Sequence, residues 1–152
     1  MTLPYSESSV FLVPLRDKGY GRGIVARHSK RGGIVFGYFW APRLTSVNNV
    51  SLTDLNPESS ILKRRFGDLG LVNREWPVIG RLPEWSRSKW PMHPFLRLDP
   101  ISSKAWEVRY DEDDLAKIID EYPASTKAQL VPNMLAGYGA LEIMLTDLVA
   151  TE

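Results

Sequence analysis

Cysteine is absent from the 152 residues, and histidine occurs only at His28 and His93. The first absence excludes a disulfide framework, a thiolate zinc site, an iron–sulfur cluster and a cysteine nucleophile, and it fits a reducing compartment. The second leaves little for acid–base catalysis: no Ser or Cys nucleophile motif sits near either imidazole, and a lone loop histidine is ordinarily a surface residue. Long apolar runs are missing too. No segment approaches the ~18 residues that a membrane-spanning helix needs, and the N-terminus has neither the basic start nor the apolar run of a secretory signal. The expectation is a soluble, cytoplasmic protein that is not an enzyme, holds no cofactor or metal, and attaches to no membrane. At this length one domain without covalent staples is the simplest arrangement.

What is present is an uneven spread of charge. Residues 1–109 hold 17 Lys and Arg against 9 Asp and Glu, while residues 110–152 hold 2 against 9. A basic body with an acidic end is read first as two parts that attract each other internally; the sharper alternative is a pair of oppositely charged faces for partners.

The most structured stretch is Trp76-Pro77-Val78-Ile79-Gly80, which reads as a buried strand between fixed bends. Ahead of it, residues 1–8 have no periodicity and read as a flexible lead, with a single domain over 9–152. Val10 to Leu15 and Gly23 to Ala26 form a hairpin about Arg16-Asp17-Lys18-Gly19-Tyr20-Gly21. Those glycines lack the helix and the Lys-Ser/Thr that a phosphate loop requires. Ser29 to Gly33 is a second turn. A third strand, Ile34 to Trp40, puts Ile34, Phe36, Tyr38 and Trp40 on one face and Val35 and Phe39 on the other, and Ala41-Pro42 ends it. For residues 57–66, Pro57 and Glu58 favour a helix, but a strand from Ile61 to Phe66 leads better into the glycine-punctuated Phe66 to Leu71.

After Gly80, prolines at 83, 91 and 94 forbid a regular element. Trp85, Arg87, Lys89 and Trp90 give this loop an interface-like composition, and they are the candidate partner-binding residues. Both tryptophans folded back as a lid over the sheet is an equal reading. Phe95 to Leu98 and Ala105 to Tyr110 make a second hairpin, with Trp106, Val108 and Tyr110 facing the core. Asp111 then caps a predicted helix with Leu115, Ile118, Ile119 and Tyr122 at helical spacing, stopped by Pro123. The acids Asp111 to Asp114 suit a helix start better than a metal, because no ligand set is complete. A last helix from near Gly139 carries Leu141, Met144, Leu145, Leu148 and Val149 on one stripe. The fold class is therefore α+β, mainly β: a bent antiparallel sheet or small partly open barrel, with C-terminal helices packed on it.

Four stretches carry a family likeness: Phe11 to Leu15 with Gly19-Tyr20-Gly21 and Gly23, Arg65-Phe66-Gly67-Asp68-Leu69-Gly70-Leu71, Trp76 to Gly80, and Leu98-Asp99-Pro100. On these the chain resembles the immunity protein 26 family of bacterial polymorphic toxin systems. The resemblance implies a mainly β domain that protects the producing cell by binding a cognate toxin, without catalysis or cofactor. It also implies structural roles for Gly21, Gly23, Phe66, Gly67, Asp68, Trp76, Pro77, Gly80, Asp99 and Pro100. The competing reading is a small nucleic-acid-binding barrel, resting on Lys63-Arg64-Arg65 and on Arg27-His28-Ser29-Lys30-Arg31 among aromatics.

Overall fold

A computed structural model describes residues 2–151. The chain builds two sheets and one long helix in three layers. Sheet A runs in the order β4-β3-β2-β1-β5, and sheet B in the order β8-β7-β6-β9. The strands of sheet A are β1 (Ser9–Pro14), β2 (Tyr20–His28), β3 (Ile34–Leu44), β4 (Leu62–Gly67) and β5 (Val78–Arg81). Those of sheet B are β6 (Phe95–Leu98), β7 (Ala105–Asp111), β8 (Asp114–Ala124) and β9 (Val131–Pro132). Among the described residues every strand pairing is antiparallel except the short β6–β9 ladder, and an isolated parallel bridge joins Phe66 to Ala136.

The alternation on β3 decides the architecture, because opposite faces of one strand enter two different interiors. Ile34, Phe36, Tyr38 and Trp40 point between the two sheets, where they meet Ile24, Phe95, Val108 and Trp90. Val35 and Phe39 point the other way, toward Phe11, Phe66, Trp76 and the stripe Leu141, Leu145 and Val149 of α2 (Tyr138–Ala150). Sheet A is thus the shared middle layer. Gly32 and Gly33, at φ +84° and +98°, supply the left-handed backbone that turns β2 into β3.

Several expectations change on the structure. The chain from 111 to 122 is not a helix. It is the turn and return strand of a β7–β8 hairpin, in which Leu115 is buried while Ile118, Ile119 and Tyr122 are exposed. The i, i+3, i+4, i+7 spacing is real, but β7 already presents a strand edge, and pairing with it satisfies more backbone than an isolated turn of helix would. The Asp111 carboxylate accepts the Asp113 N–H at 2.8 Å, which closes the turn rather than capping a helix. One C-terminal helix therefore packs on the sheet, not two.

The Trp76 stretch is also less buried than expected. Trp76 is 1% exposed, yet β5 is an edge strand and Val78 is 39% exposed. β3 runs past Ala41-Pro42 to Leu44. Residues 57–66 divide into a short 3-10 turn, Pro57–Ser59, and strand β4, and the segment after β4 coils into α1 (Leu69–Val72). The lead before β1 is packed: Tyr5 is 5% exposed and donates its hydroxyl hydrogen bond to Asp68 at 2.8 Å.

Candidate functional site

The loop joining β5 to β6 closes one side of the inter-sheet core. Trp90, 3% exposed, stands edge-on to Tyr38 and Trp40 at ring separations of 5.2 and 5.7 Å, and Trp85 stacks over it at 5.7 Å and 15°. The Tyr38 hydroxyl donates to the Pro91 carbonyl, and burial pushes its pKa up to about 12. Of the four candidate contact residues, Trp90 lies inside, Trp85 is half-buried over it, Arg87 is ion-paired and Lys89 is exposed. The lid arrangement accounts for both tryptophans.

Buried arginine holds this lid from below. Arg27, on β2 and 2% exposed, donates to Glu112 at 2.7 Å, to the Trp90 carbonyl at 3.0 Å and to the Arg87 carbonyl at 3.3 Å. One guanidinium therefore fastens the loop and the β7–β8 turn to the middle sheet, a task that needs its fork of donors. Above it, Arg87 grips both Glu7 oxygens at 2.8 Å and the Asp113 carboxylate at 2.9 Å. The Trp85 indole N–H also donates to Glu7 at 2.9 Å. Burial opposes ionisation of Glu7, but the bonds from Arg87 and Trp85 prevail and hold its carboxyl below the ordinary range. Asp113 is lowered by the same Arg87.

Between the loop and the β7–β8 turn lies an open groove of about 530 Å³, with Met92, His93, Arg109, Asp111 and Ile119 on its walls. Its charges are largely matched: Arg27 with Glu112, Arg87 with Asp113, and Arg109 with Asp120 at 3.9 Å. Among the described residues no group of three His, Asp or Glu side chains is placed to hold a metal ion. A surface of this kind offers shape and paired charge to a partner.

A second buried cation sits behind it. Arg65, 5% exposed, donates to the Leu115 carbonyl at 2.7 Å, to the Asn133 carbonyl at 2.8 Å and to the Tyr110 hydroxyl at 3.0 Å, and lies 3.9 Å from the Tyr110 ring centroid. Desolvation lowers its pKa and outweighs the opposing effect of the Tyr110 hydroxyl. Arg22, likewise buried, reaches Asp54 at 2.8 Å and ties down the β3–β4 loop. Sequence reasoning placed Arg27 and Arg65 among exposed basic runs and missed Arg22. The available signal was partial: Arg22 and Arg27 lie inside strand β2 on either side of Ile24 and Val25, and Arg65 directly precedes Phe66 in β4.

The residues that carry the family likeness sit at close packing points. A Cβ on Gly21 would lie 2.5 Å from Leu145, and one on Gly23 would lie 2.7 Å from the Phe11 ring. Gly80 approaches Leu52 in the same way, whereas Gly67 has more room. Phe66 is fully buried and packs against Phe11, Phe39 and Trp76. Trp76 stacks on Phe11 at 5.7 Å and donates its indole N–H to the buried Glu142 at 2.8 Å, and the Pro77 carbonyl accepts from the Leu12 N–H. Asp68 accepts from Tyr5 and from the Gly33 N–H at 2.9 Å. Asp99 caps the β6–β7 turn at Pro100 by accepting from the Ile101 N–H at 2.9 Å.

No curated protein and no solved structure matches the chain. A family model does: that of Immunity protein 26, over residues 7–107, from the lead that Arg87 grips to the middle of β7. That span takes in all of sheet A, the tryptophan lid, β6 and the first half of β7, so the chain belongs to the immunity protein 26 family.

Proposed function

We propose that this protein neutralises a cognate toxin in the cytoplasm of the producing cell by a non-catalytic protein–protein interface. The match to immunity protein 26 over residues 7–107 carries the reading. The groove supports it, because most of its charged groups pair with one another: Arg27 with Glu112 and Arg87 with Asp113. Neutralisation then comes from occluding the toxin, with Arg87, Lys89 and the half-buried Trp85 on the rim of the covered area. Trp90 acts beneath them as the wedge that keeps the rim in place.

The test is co-expression with the toxin domain whose gene adjoins this one. The two chains are expected to co-elute, and the immunity chain to restore growth of cells that make the toxin. Growth without a complex, or a complex without rescue, would contradict occlusion. The nucleic-acid reading loses ground because Arg27 and Arg65, central to its two basic runs, are turned inward. Retention on single-stranded DNA or RNA at low salt, abolished as salt rises, would restore it.

A further inference from the structure

β8 holds eleven residues at the edge of sheet B, and of these only Leu115 is buried. Ile118, Ile119 and Tyr122 are 47%, 49% and 51% exposed. The strand overhangs the core, so both of its faces meet water beyond the turn. Among the described residues, the backbone from Lys117 to Pro123 makes no hydrogen bond except to β7. An open edge of this kind is a template for a further strand.

Its charge selects what can be added. Asp111 and Asp114 have no ion-pair partner among the described residues, and Asp120 has only Arg109 at 3.9 Å. Lys117 is the one cation on the strand itself. A second copy of β8 laid antiparallel about its regular half would bring the Asp120 and Glu121 side chains of the two copies together, and like charges across a ladder are destabilising. Lys117, Pro123 and the register shift opposite Arg109 and Tyr110 further discourage indiscriminate pairing. β8 also lies outside the span matched by the family, so recognition placed there can differ without disturbing the scaffold.

We infer that β8 is the docking edge for the toxin: an extended, basic segment of the partner adds to sheet B beside it. Cationic side chains of that segment face Asp114 and Asp120, and apolar ones cover Ile118, Ile119 and Tyr122. Ile119 also lines the groove, so strand and groove form one continuous footprint. The assignment rests on the immunity reading above and locates its interface.

The experiment uses the full chain and the toxin domain of the adjoining gene. Hydrogen exchange of the complex is expected to show new protection of amides from Lys117 to Tyr122. Ile119→Lys and Asp120→Lys, with melting temperatures near that of the parent, are each expected to raise Kd about tenfold or more, the equivalent of a lost interfacial contact. A complex with unchanged exchange at β8, and with both variants binding as the parent does, would overturn the docking edge while leaving the immunity reading intact. Absence of any complex would overturn both. A dimer of the chain that both variants dissolve would assign the edge to a second copy and overturn the toxin assignment.

Discussion

Trp76 illustrates how one residue joins layers of the molecule. Its ring stacks on Phe11 of the middle sheet, its N–H is taken by Glu142 of α2, and Glu142 in turn accepts from Arg16 at 3.1 Å. Trp76→Ala should cost about 3–5 kcal/mol in urea unfolding. Trp76→Phe keeps the stack but leaves a buried carboxylate short of a donor, and should cost about 1–3 kcal/mol. Both variants lose the donor to Glu142, so equal losses would show that the ring stack contributes nothing, and an unchanged stability in Trp76→Phe would show the same of the hydrogen bond. Glycine gives a second contrast. Gly23→Ala drives a methyl into the Phe11 and Phe39 rings and should cost about 1–3 kcal/mol, whereas at Gly67 the nearest atom is 3.9 Å away and the same change should be felt far less. The motif glycines and Trp76 stand out in the sequence as residue types with special geometry. Their partners do not, because Leu145 and Glu142 approach from more than sixty residues away.

At the scale of elements, the tryptophan loop and the β7–β8 hairpin are fastened by side chains that the sequence advertised as surface charge. The alternation on β3 and on β7 was legible because each strand separates large apolar residues by one position. The hairpin was not, because acids followed by Leu115, Ile118, Ile119 and Tyr122 satisfy a helical pattern equally well, and only the free edge of β7 decides between them. Trp90→Ala should lower the melting temperature markedly, since it empties the space against Tyr38 and Trp40. Trp85→Ala should lower it less, and Lys89→Ala hardly at all. If occlusion of the toxin uses the rim, Trp85→Ala and Lys89→Ala should instead weaken co-elution with the toxin. Arg65→Met tests the second fastening. It strands the Leu115 and Asn133 carbonyls and should cost about 2–4 kcal/mol despite its similar bulk.

Across the whole molecule, the basic body and acidic end meet mostly inside one protein. Arg16, Arg27, Arg87, Arg97 and Arg109 pair respectively with Glu142, Glu112, Asp113, Glu121 and Asp120, which favours the internal reading of the charge asymmetry. The Glu7–Arg87–Asp113 clamp makes that sensitive to acid. Both carboxyls are held below their unfolded values, so their contribution is present above the ordinary carboxylate range and is lost as pH falls through the folded values. The melting temperature should therefore hold between about pH 5 and 8 and decline below about pH 4. Arg87→Ala should flatten part of that decline; an identical acid profile would show that the clamp is dispensable.

Because β3 is the partition between two interiors, its register is a quantity that both share. Inserting a single residue at Gly37, with Ile34 to Phe36 held in place, would turn Tyr38 and Trp40 toward the helix while Phe39 crossed to the other side, exchanging occupants of unlike volume in a single step. Changes of residue along this strand can be absorbed one chamber at a time, but a change in its length cannot.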